Sequence, residues 1–314
     1  MSEVFTVSFF VSVIAAAIRS GTPLLYATLG EIIAERSGVL NLGLEGLMLV
    51  GALTGFMGTF YTDSAWLGFL IGALAAGALS LIHAFLSVTI KANQVISGIM
   101  LVLMGIGLTN FFGVPMVGQT IQSRFSALHI PGLSDIPHLG RMLFQHDILV
   151  YLAMLLVPII WVFLFKTRLG LAITAVGESP ETADTLGISV ARIRYLSVFL
   201  SGILAGASGA YISLAVMKSW QSGMTAGRGW IAIALVIFAF WRPQRAILGA
   251  YLFGGIEGLQ LRLQAAGIAV PVDLISMLPY VAPILVLVLT SRRKIRQRLG
   301  APAALTLPYE RGGG

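Results

Sequence analysis

The 314-residue chain contains no cysteine and few charged side chains. The absence of cysteine excludes a disulfide framework, thiol chemistry and a thiolate metal site. Only 11% of the residues are charged, whereas a soluble domain carries roughly a quarter. Because 57% of the residues are hydrophobic, we expect most of the chain to lie in a lipid bilayer.

The sequence also lacks the usual motifs of nucleotide and catalytic sites. It contains no Gly-Lys dipeptide, so there is no Walker A motif, and neither HExxH nor GxSxG occurs. His129, His138 and His146 fall close together, but only Asp135 and Asp147 accompany them and no HxxxH pair is present. We therefore predict no catalytic residue, no metal site and no cofactor bound by this chain.

The formal net charge of the chain is +7. Such a charge can indicate a nucleic-acid partner, but multi-pass membrane proteins concentrate Lys and Arg on the cytoplasmic side. We favour the second interpretation and expect no nucleic-acid binding. The region before the first apolar run holds Glu3 and no Lys or Arg, which favours an uncleaved first helix over a signal peptide.

Ten apolar segments are candidates for membrane spans, since a spanning helix needs roughly 20 residues. They lie at 4–18, 22–33, 44–60, 65–90, 95–114, 148–165, 195–216, 230–241, 247–261 and 274–290. The first, second and eighth are short enough to be half-helices, which leaves eight spans as an alternative count. We predict an all-α, polytopic transmembrane bundle of about eight to ten spans at 1–291, followed by a basic, flexible cytoplasmic tail at 292–314.

The distribution of basic residues predicts how the bundle is oriented. If the N-terminus lies inside, 14 of the 20 Lys and Arg residues fall on the cytoplasmic side and 6 on the outer side. This excess follows the positive-inside rule. It places the polar segment at about 167–194 and the C-terminus in the cytoplasm, and the long loop at about 115–147 on the outer face.

The polar segment contains the residues of a short capped helix. Ser179 is a suitable N-cap, Pro180 suits the first helical position, and Glu181 lies in the first turn, where a negative charge favours the helix dipole. Gly187 is a natural C-cap, so we predict a helix at about 180–186. An ordinary amphipathic connector is the alternative to a docking surface for a separate ATPase. The candidate docking residues are Glu178, Pro180, Glu181, Ala183, Asp184, Leu186, Gly187 and Ile188.

Polar residues within apolar stretches are candidates for a translocation path. The stretch EIIAERSGVLNLGLEG at 31–46 places charges that would each cost a few kcal/mol near the bilayer centre, so it faces either a protein-lined cavity or the interface. A plain cytoplasmic turn is the alternative. Further along, Glu257, Gln260 and Gln264 share one helix face. They indicate either contacts with a polar solute or a hydrogen-bond network between helices. The candidates for the path are Asn41, Glu45, Gln94, Glu257, Gln260 and Gln264.

Small residues within the spans predict close contacts between helices. Gly51 and Gly55 lie four apart, and Gly202 and Gly206 form a GxxxG motif that Gly209 extends. Such spacings allow two helix backbones to approach closely. We therefore expect these five glycines to pack helices rather than to bind substrate.

The chain resembles the permeases of bacterial ABC importers, in the family of branched-chain amino acid and simple-sugar permeases. The resemblance rests on EIIAERSGVLNLGLEGLMLVGAL at 31–53, ANQVISGIMLVLMGIGLT at 92–109, IPGLSDIPHLG at 130–140 and AVGESPETADTLGISVARIRYLSVFLSGILAGASGAYISL at 175–214. Within the family it is closest to the nucleoside, or simple-sugar, permeases. SGVLNLGLEG and LPYERG at 307–312 resemble the second, shorter permease of a nucleoside system.

The resemblance implies the fold of a type II ABC importer permease, with short broken helices, and a complete import system around this chain. A longer paralogous permease would form a heterodimer with it in the bacterial inner membrane, and a cytoplasmic ATPase that uses ATP-Mg would drive transport. A lipid-anchored or periplasmic binding protein would deliver the small-molecule substrate, a purine nucleoside or a related simple sugar. The resemblance also implies that residues 178–187 are the coupling helix, because Ala183 and Gly187 fit the loop pattern of the family.

A stand-alone secondary transporter driven by an ion gradient is the alternative function. It would need an intramembrane carboxylate as its ion site, and Glu45 or Glu257 would supply one. The capped polar segment in the middle of the chain argues against it, because a transporter that works alone has no need of a docking surface. An intramembrane enzyme is disfavoured, because no acid/base pair or metal cluster is evident on facing spans.

Overall fold

A computed structural model of the protein describes residues 7–265, 277, 281 and 300–310. The described part of the chain is a bundle of ten α-helices, which confirms the predicted all-α class. The helices are α1 Val7–Arg36, α2 Leu44–Thr62, α3 Ala65–Ala84, α4 Gln94–Gly113, α5 Ile148–Lys166, α6 Arg168–Glu178, α7 Pro180–Thr185, α8 Val190–Tyr211, α9 Arg228–Phe238 and α10 Pro243–Ala265. One π-helical turn, Phe85–Thr89, extends α3, and another, Ile212–Val216, extends α8.

Six of these helices are long and apolar enough to cross a membrane: α1, α2, α3, α4, α5 and α8. The short helix α9 is also apolar, but its 11 residues rise only about 17 Å, roughly half of a hydrocarbon core. Its length matches the half-helix expected at 230–241. The predicted span at 274–290, apart from residues 277 and 281, lies outside the described residues, and so do residues 292–299 and 311–314 of the predicted tail.

The prediction of two short spans at 4–18 and 22–33 is wrong, because residues 7–18 and 22–33 belong to one helix, α1. Pro23 lies inside α1 and has no N–H to offer the carbonyl of Arg19, four residues earlier. The Tyr211 hydroxyl donates to that carbonyl at 3.3 Å, and the Ser208 hydroxyl donates to the Pro23 carbonyl at 2.6 Å. Side chains of α8 therefore satisfy backbone oxygens around the proline, and the helix continues through it.

The predicted start of the seventh span is also corrected. Helix α8 begins at Val190 rather than at 195, so Arg192 and Arg194 lie in its first two turns. The side chain of Arg192 is exposed, whereas that of Arg194 is buried. Arg194 is therefore part of the interior of the protein and not of an exposed polar connector.

The interior of the bundle is built where α1, α2, α3 and α8 pack against one another. All five glycines predicted to pack helices face another helix. A Cβ atom on Gly206 would lie 2.5 Å from the carbonyl oxygen of Gly72 and 2.6 Å from the Cβ of Ala76. The backbone of Gly51 packs directly on that of Gly206, and Gly209 packs on Met48. Contacts this close require glycine, because any side chain would push the helices apart.

The long loop between α4 and α5 is joined to the segment that follows α8. Two isolated bridges pair Val117 with Trp220 and Thr120 with Ser219. The loop ends at Asp147, whose carboxylate accepts hydrogen bonds from the first backbone N–H groups of α5. The loop and the connection between α8 and α9 therefore lie at the same end of the bundle.

Candidate functional site

The predicted short helix is present as α7, at Pro180–Thr185. The Ser179 hydroxyl caps it by accepting a hydrogen bond from the Thr182 N–H at 3.4 Å, and Pro180 occupies the first turn. Gly187 follows with φ +82°, a left-handed conformation that glycine adopts without strain. The capping residues read from the sequence therefore fold this helix locally.

Helix α7 presents a surface of mixed chemistry. Pro180 and Ala183 are buried and hold the helix against the bundle. The side chains of Glu178 and Glu181 are exposed, and Leu186 is 76% exposed, the highest exposure of any large apolar side chain in the described residues. Gly187 is exposed too, whereas Asp184 and Ile188 are half-buried. An exposed leucine beside two carboxylates is suited to contact a soluble partner.

The segment 300–310, which we call the C-terminal strap, is bonded to the end of α6 and to the segment after α1. The Ala304 N–H donates to the Gly177 carbonyl at 2.8 Å, and the Thr306 N–H donates to the Gly38 carbonyl at 3.2 Å. Lys91 forms an ion pair with Glu310 at 2.8 Å. The end of the chain was expected to be flexible, but this part of it joins α6 to the segment after α1.

Arg194 connects the strap to the interior. Its Nε donates to the Ser37 carbonyl at 3.3 Å, and its Nη1 donates to the Leu307 carbonyl at 3.1 Å. We missed this residue in the sequence, because we took it as part of the polar connector. The signal was present, since Val190, Ile193, Arg194 and Ser197 recur at helical spacing and are all buried.

The connector 37–43, between α1 and α2, is mostly buried and is held by side chains from three helices. The Asn41 N–H donates to Glu31 at 2.8 Å, and the Leu40 N–H donates to the Gln94 side-chain oxygen at 2.8 Å. The ring of His83 bonds to the Leu40 carbonyl at 3.1 Å. A plain, solvated cytoplasmic turn is therefore excluded for this connector, because its backbone is bonded within the protein.

Two of the path candidates are thus placed together: Asn41 lies in the connector, and Gln94 bonds to it. The Asn41 side-chain oxygen accepts from the Gly43 N–H at 2.9 Å, while its Nδ2 and the Nε2 of Gln94 are buried without a partner in the structure. Glu31 also accepts from the Ser201 hydroxyl at 3.1 Å. Sequence reasoning did not select Glu31, His83 or Ser201, because their partners come from distant parts of the chain.

Glu45 and Glu257 both bond to residues at the start of α9. The Glu45 carboxylate accepts from the backbone N–H groups of Gly227 at 2.9 Å and Gly229 at 2.7 Å, and from the Thr225 hydroxyl at 2.5 Å. Glu257 pairs with Arg228. Two amides were predicted to share a helix face with Glu257. Gln260 lies one turn further along α10, and the side chain of Gln264 lies outside the described residues.

Comparison with known proteins identifies the family. Residues 13–288 match the family described as branched-chain amino acid transport system, permease component. The putative glucose ABC transporter permease protein TsgC13 of Haloferax volcanii is 46% identical, over 97% of this chain and 99% of its own length. No solved structure matches the chain.

Two further relatives are named for nucleosides. The nucleoside ABC transporter permease protein NupC of Lactococcus lactis is 36% identical, over 88% of this chain and 91% of its own length. The guanosine ABC transporter permease protein NupQ of Bacillus subtilis is 36% identical, over 96% of this chain and 97% of its own length.

These matches favour an ABC transporter permease over a secondary transporter that works alone, and over an enzyme. Such a permease is a transport subunit, and its family implies a partner ATPase, which uses ATP, and a substrate-binding protein. The apolar helices and the family together indicate a multi-pass membrane protein. The chain therefore belongs to the permease family of the branched-chain amino acid transport systems and is a permease subunit of an ABC transporter.

Proposed function

We propose that this permease imports purine nucleosides or related simple sugars, and that a cytoplasmic ATPase drives it by docking on residues 178–187. The substrate proposal is supported by the relatives, of which two are named for nucleosides or guanosine and one for glucose. The ribose of a nucleoside and glucose each carry several neutral hydroxyl groups. A path that offers amide and carboxylate groups suits such solutes.

The exposure of Leu186 beside Glu178 and Glu181 carries the docking proposal. Leu186 is largely exposed and adds little to the core of this chain, and its burial in a partner would contribute up to about 1.5–3 kcal/mol of hydrophobic free energy. The two carboxylates would set the orientation of the ATPase through its basic or hydrogen-bonding groups. Pro180 and Ala183 fix α7 to the bundle, so a movement of the ATPase would reach the helices.

The contacts behind α7 supply a route for that movement. Gly177 of α6 packs on the Arg36 carbonyl at the end of α1 and accepts a hydrogen bond from the strap. The strap and Arg194 both bond to the connector at Gly38 and Ser37. A tilt of α6 and α7 would therefore act on the end of α1 and on the connector.

The proposed translocation path passes the connector and the start of α9. Its candidates remain Asn41, Glu45, Gln94, Glu257, Gln260 and Gln264. The unpartnered amide donors of Asn41 and Gln94 support this path, because a buried donor without a partner costs about 1–3 kcal/mol and is relieved by a polar solute. For Glu257, the pair with Arg228 supports the alternative of a structural network.

The orientation that we propose retains the cytoplasmic side for α6, α7, the strap and the C-terminus. Since α1 is one helix and not two spans, Arg19 lies within it, and the remaining count is 14 basic residues inside and 5 outside. Keeping Arg36 on the inner side then places the start of α1 on the outer side. In this orientation the loop at 115–147 faces outward, toward a binding protein. A second, paralogous permease would complete the heterodimer, and the membrane would be a bacterial inner membrane.

The docking proposal is tested with Leu186→Glu in the assembled transporter, in proteoliposomes with ATP. We expect the variant to insert and to join the second permease normally, but to lose binding of the ATPase and at least ten-fold of the uptake rate. Leu186→Met, which preserves an apolar side chain of similar size, is the matched control and should retain uptake. Normal uptake by Leu186→Glu would show that the ATPase docks elsewhere.

The substrate is tested separately, with the wild-type transporter and its binding protein. Labelled guanosine and labelled glucose are offered in turn, each with the other as unlabelled competitor. We expect ATP-dependent uptake of guanosine that excess glucose does not reduce. Uptake of glucose alone would overturn the purine nucleoside and leave the docking proposal intact.

A further inference from the structure

A basic pocket lies where the end of α5 meets the start of α10. It has a volume of about 330 Å³, near the lower end of the range of small-ligand pockets, roughly 300–1,000 Å³. Its lining consists of three cations, two aromatic rings and one amide: Lys166, Arg242, Arg245, Trp161, Phe165 and Gln244. Among the described residues no carboxylate lines it, and the charged groups of this lining are all positive.

Two of the three cations of the pocket rest on aromatic rings rather than on carboxylates of the described residues. Within the described residues, Lys166, Arg242 and Arg245 form no ion pair with a carboxylate. Two of them rest on aromatic rings instead, Lys166 at 5.9 Å from the ring centre of Trp161 and Arg245 at 4.9 Å from that of Phe240. Ring contacts hold the cations in place and leave their N–H groups available to an anion.

Apolar side chains lead away from the pocket along both helices. On α5, the exposed residues Leu155, Ile159 and Val162 precede Lys166 at the spacing of one helix face. On α10, the exposed residues Leu248 and Leu252 follow Arg245 on one face in the same way. Each exposed stripe thus ends at a cation, and the two helices pack against each other.

We propose that this pocket binds the phosphate headgroup of an anionic phospholipid, with the acyl chains lying along the two stripes. An anionic phospholipid combines a negative headgroup with long apolar chains, which matches a basic pocket at the end of two apolar stripes. Basic pockets between helices on the cytoplasmic side are suited to such headgroups, and the positive end of the α10 dipole adds to the attraction. Because α5 is a candidate membrane span, its stripe faces the acyl chains of the bilayer, and the pocket at its end lies beside the lipid headgroups rather than in open solvent.

The proposal also assigns a role to the position of Arg36. Arg36 lies over the ring of Phe165 at 5.2 Å and donates to the Trp241 carbonyl at 3.1 Å. A lipid held against Phe165 and Arg242 would therefore contact the groups that surround the inner end of α1. Anionic lipid is expected to stabilise the protein for this reason, and not only to coat its surface.

The test measures lipid binding to the purified full-length permease by native mass spectrometry and by thermal unfolding. Phosphatidylglycerol and phosphatidylcholine with the same chains are compared in mixed micelles. We expect phosphatidylglycerol to bind at least ten-fold more tightly and to raise the unfolding temperature. The variant Arg242→Gln/Arg245→Gln should lose that preference, whereas Arg192→Gln, an exposed arginine at the start of α8, should retain it.

Further arms identify the source of the anion and the occupant of the surface. Inorganic phosphate at millimolar concentration should not displace phosphatidylglycerol, and full displacement would overturn the lipid in favour of a soluble anion. Equal binding of phosphatidylcholine, or an unchanged preference in the double variant, would overturn the proposal. A cross-link from position 245 to the ATPase or to the second permease in the assembled transporter would overturn it too. Should the double variant not fold, Lys166→Gln is judged by the same criteria.

Discussion

The carboxylate of Glu45, in the first turn of α2, accepts a hydrogen bond from the backbone N–H of Gly229, in the first turn of α9, at 2.7 Å. The first N–H groups of a helix have no partner within it, and they carry the positive end of its dipole. A carboxylate accepts hydrogen bonds from these N–H groups, and its negative charge is stabilised by the positive end of the dipole. Glu45 therefore fixes the start of one helix to the start of another.

We predict that Glu45→Ala destabilises the permease by about 1–3 kcal/mol, because two N–H groups and the Thr225 hydroxyl lose their acceptor. Glu45→Gln retains one acceptor oxygen and should lose less. Thermal unfolding in nanodiscs measures both. If Glu45→Ala unfolds at the wild-type temperature but no longer transports, the residue belongs to the path and not to the cap of α9.

Gly206 provides a test of the close packing of α2, α3 and α8. We predict that Gly206→Val destabilises the protein by at least ~1–3 kcal/mol, because the new side chain would collide with the Gly72 backbone and with Ala76. The matched control is Gly107→Val in α4, where no atom lies within 4 Å of the added Cβ. The yield of folded protein and its unfolding temperature are the measurements. Equal losses in both variants would contradict the packing argument.

Local sequence signals predicted the elements that fold from local contacts. The helix at Pro180–Thr185 follows from Ser179, Pro180 and Gly187, which lie at its two ends and close together in the sequence. The continuation of α1 through Pro23 does not follow from local signals. The hydroxyl groups that bond to the backbone oxygens around Pro23 come from α8, about 185 residues later. Glycine spacing indicated close packing, but it does not say which helices meet.

The same limit applies to the candidate site. The exposed polar surface of α7 was predictable because polar residues interrupt an apolar chain there, whereas its role in docking an ATPase stays a proposal. The polar residues of the interior were selected by type, and their partners were not predictable, since Glu45 meets residues of α9 that are far away in sequence. Arg194 was missed because the charge of an arginine was given more weight than the apolar spacing around it.

The ion pair between Lys91 and Glu310 predicts how the strap responds to acid. The hydrogen bond from Lys91 and its charge lower the pKa of the exposed Glu310 carboxyl from its ordinary value of 4.5. A carboxyl whose pKa is lowered on folding contributes stability above its unfolded pKa and loses it as the pH falls through the folded pKa. We therefore expect the contact to be complete at pH 7 and to be lost below pH 4.5.

A spin label at position 308 reports this change, since Pro308 neighbours Lys91 in the structure. Its mobility should rise on acidification in the wild type. In Lys91→Met the mobility should already be raised at pH 7 and should depend less on pH. Added salt should have a similar effect, because both groups are largely exposed and their attraction is screened. A label whose mobility does not change between pH 7 and pH 3 would contradict the prediction.

Arg194 should be the residue that holds the strap on the bundle. Its guanidinium reaches two carbonyls at once, those of Ser37 and Leu307, and a lysine offers one compact ammonium that cannot span both. We predict that Arg194→Lys destabilises the protein by about 1–3 kcal/mol, because one buried carbonyl loses its donor. Limited proteolysis within 300–310 should become faster, and uptake should fall together with it.

Arg192→Lys is the matched control, since Arg192 lies two residues away on the same helix but is exposed. It should leave proteolysis and uptake unchanged. A loss of uptake in Arg194→Lys without faster proteolysis of the strap would mean that the arginine acts through the connector at Ser37. Faster proteolysis with normal uptake would mean that the strap is not part of the route from α7 to the connector. Only the joint loss of strap protection and uptake supports the route proposed here.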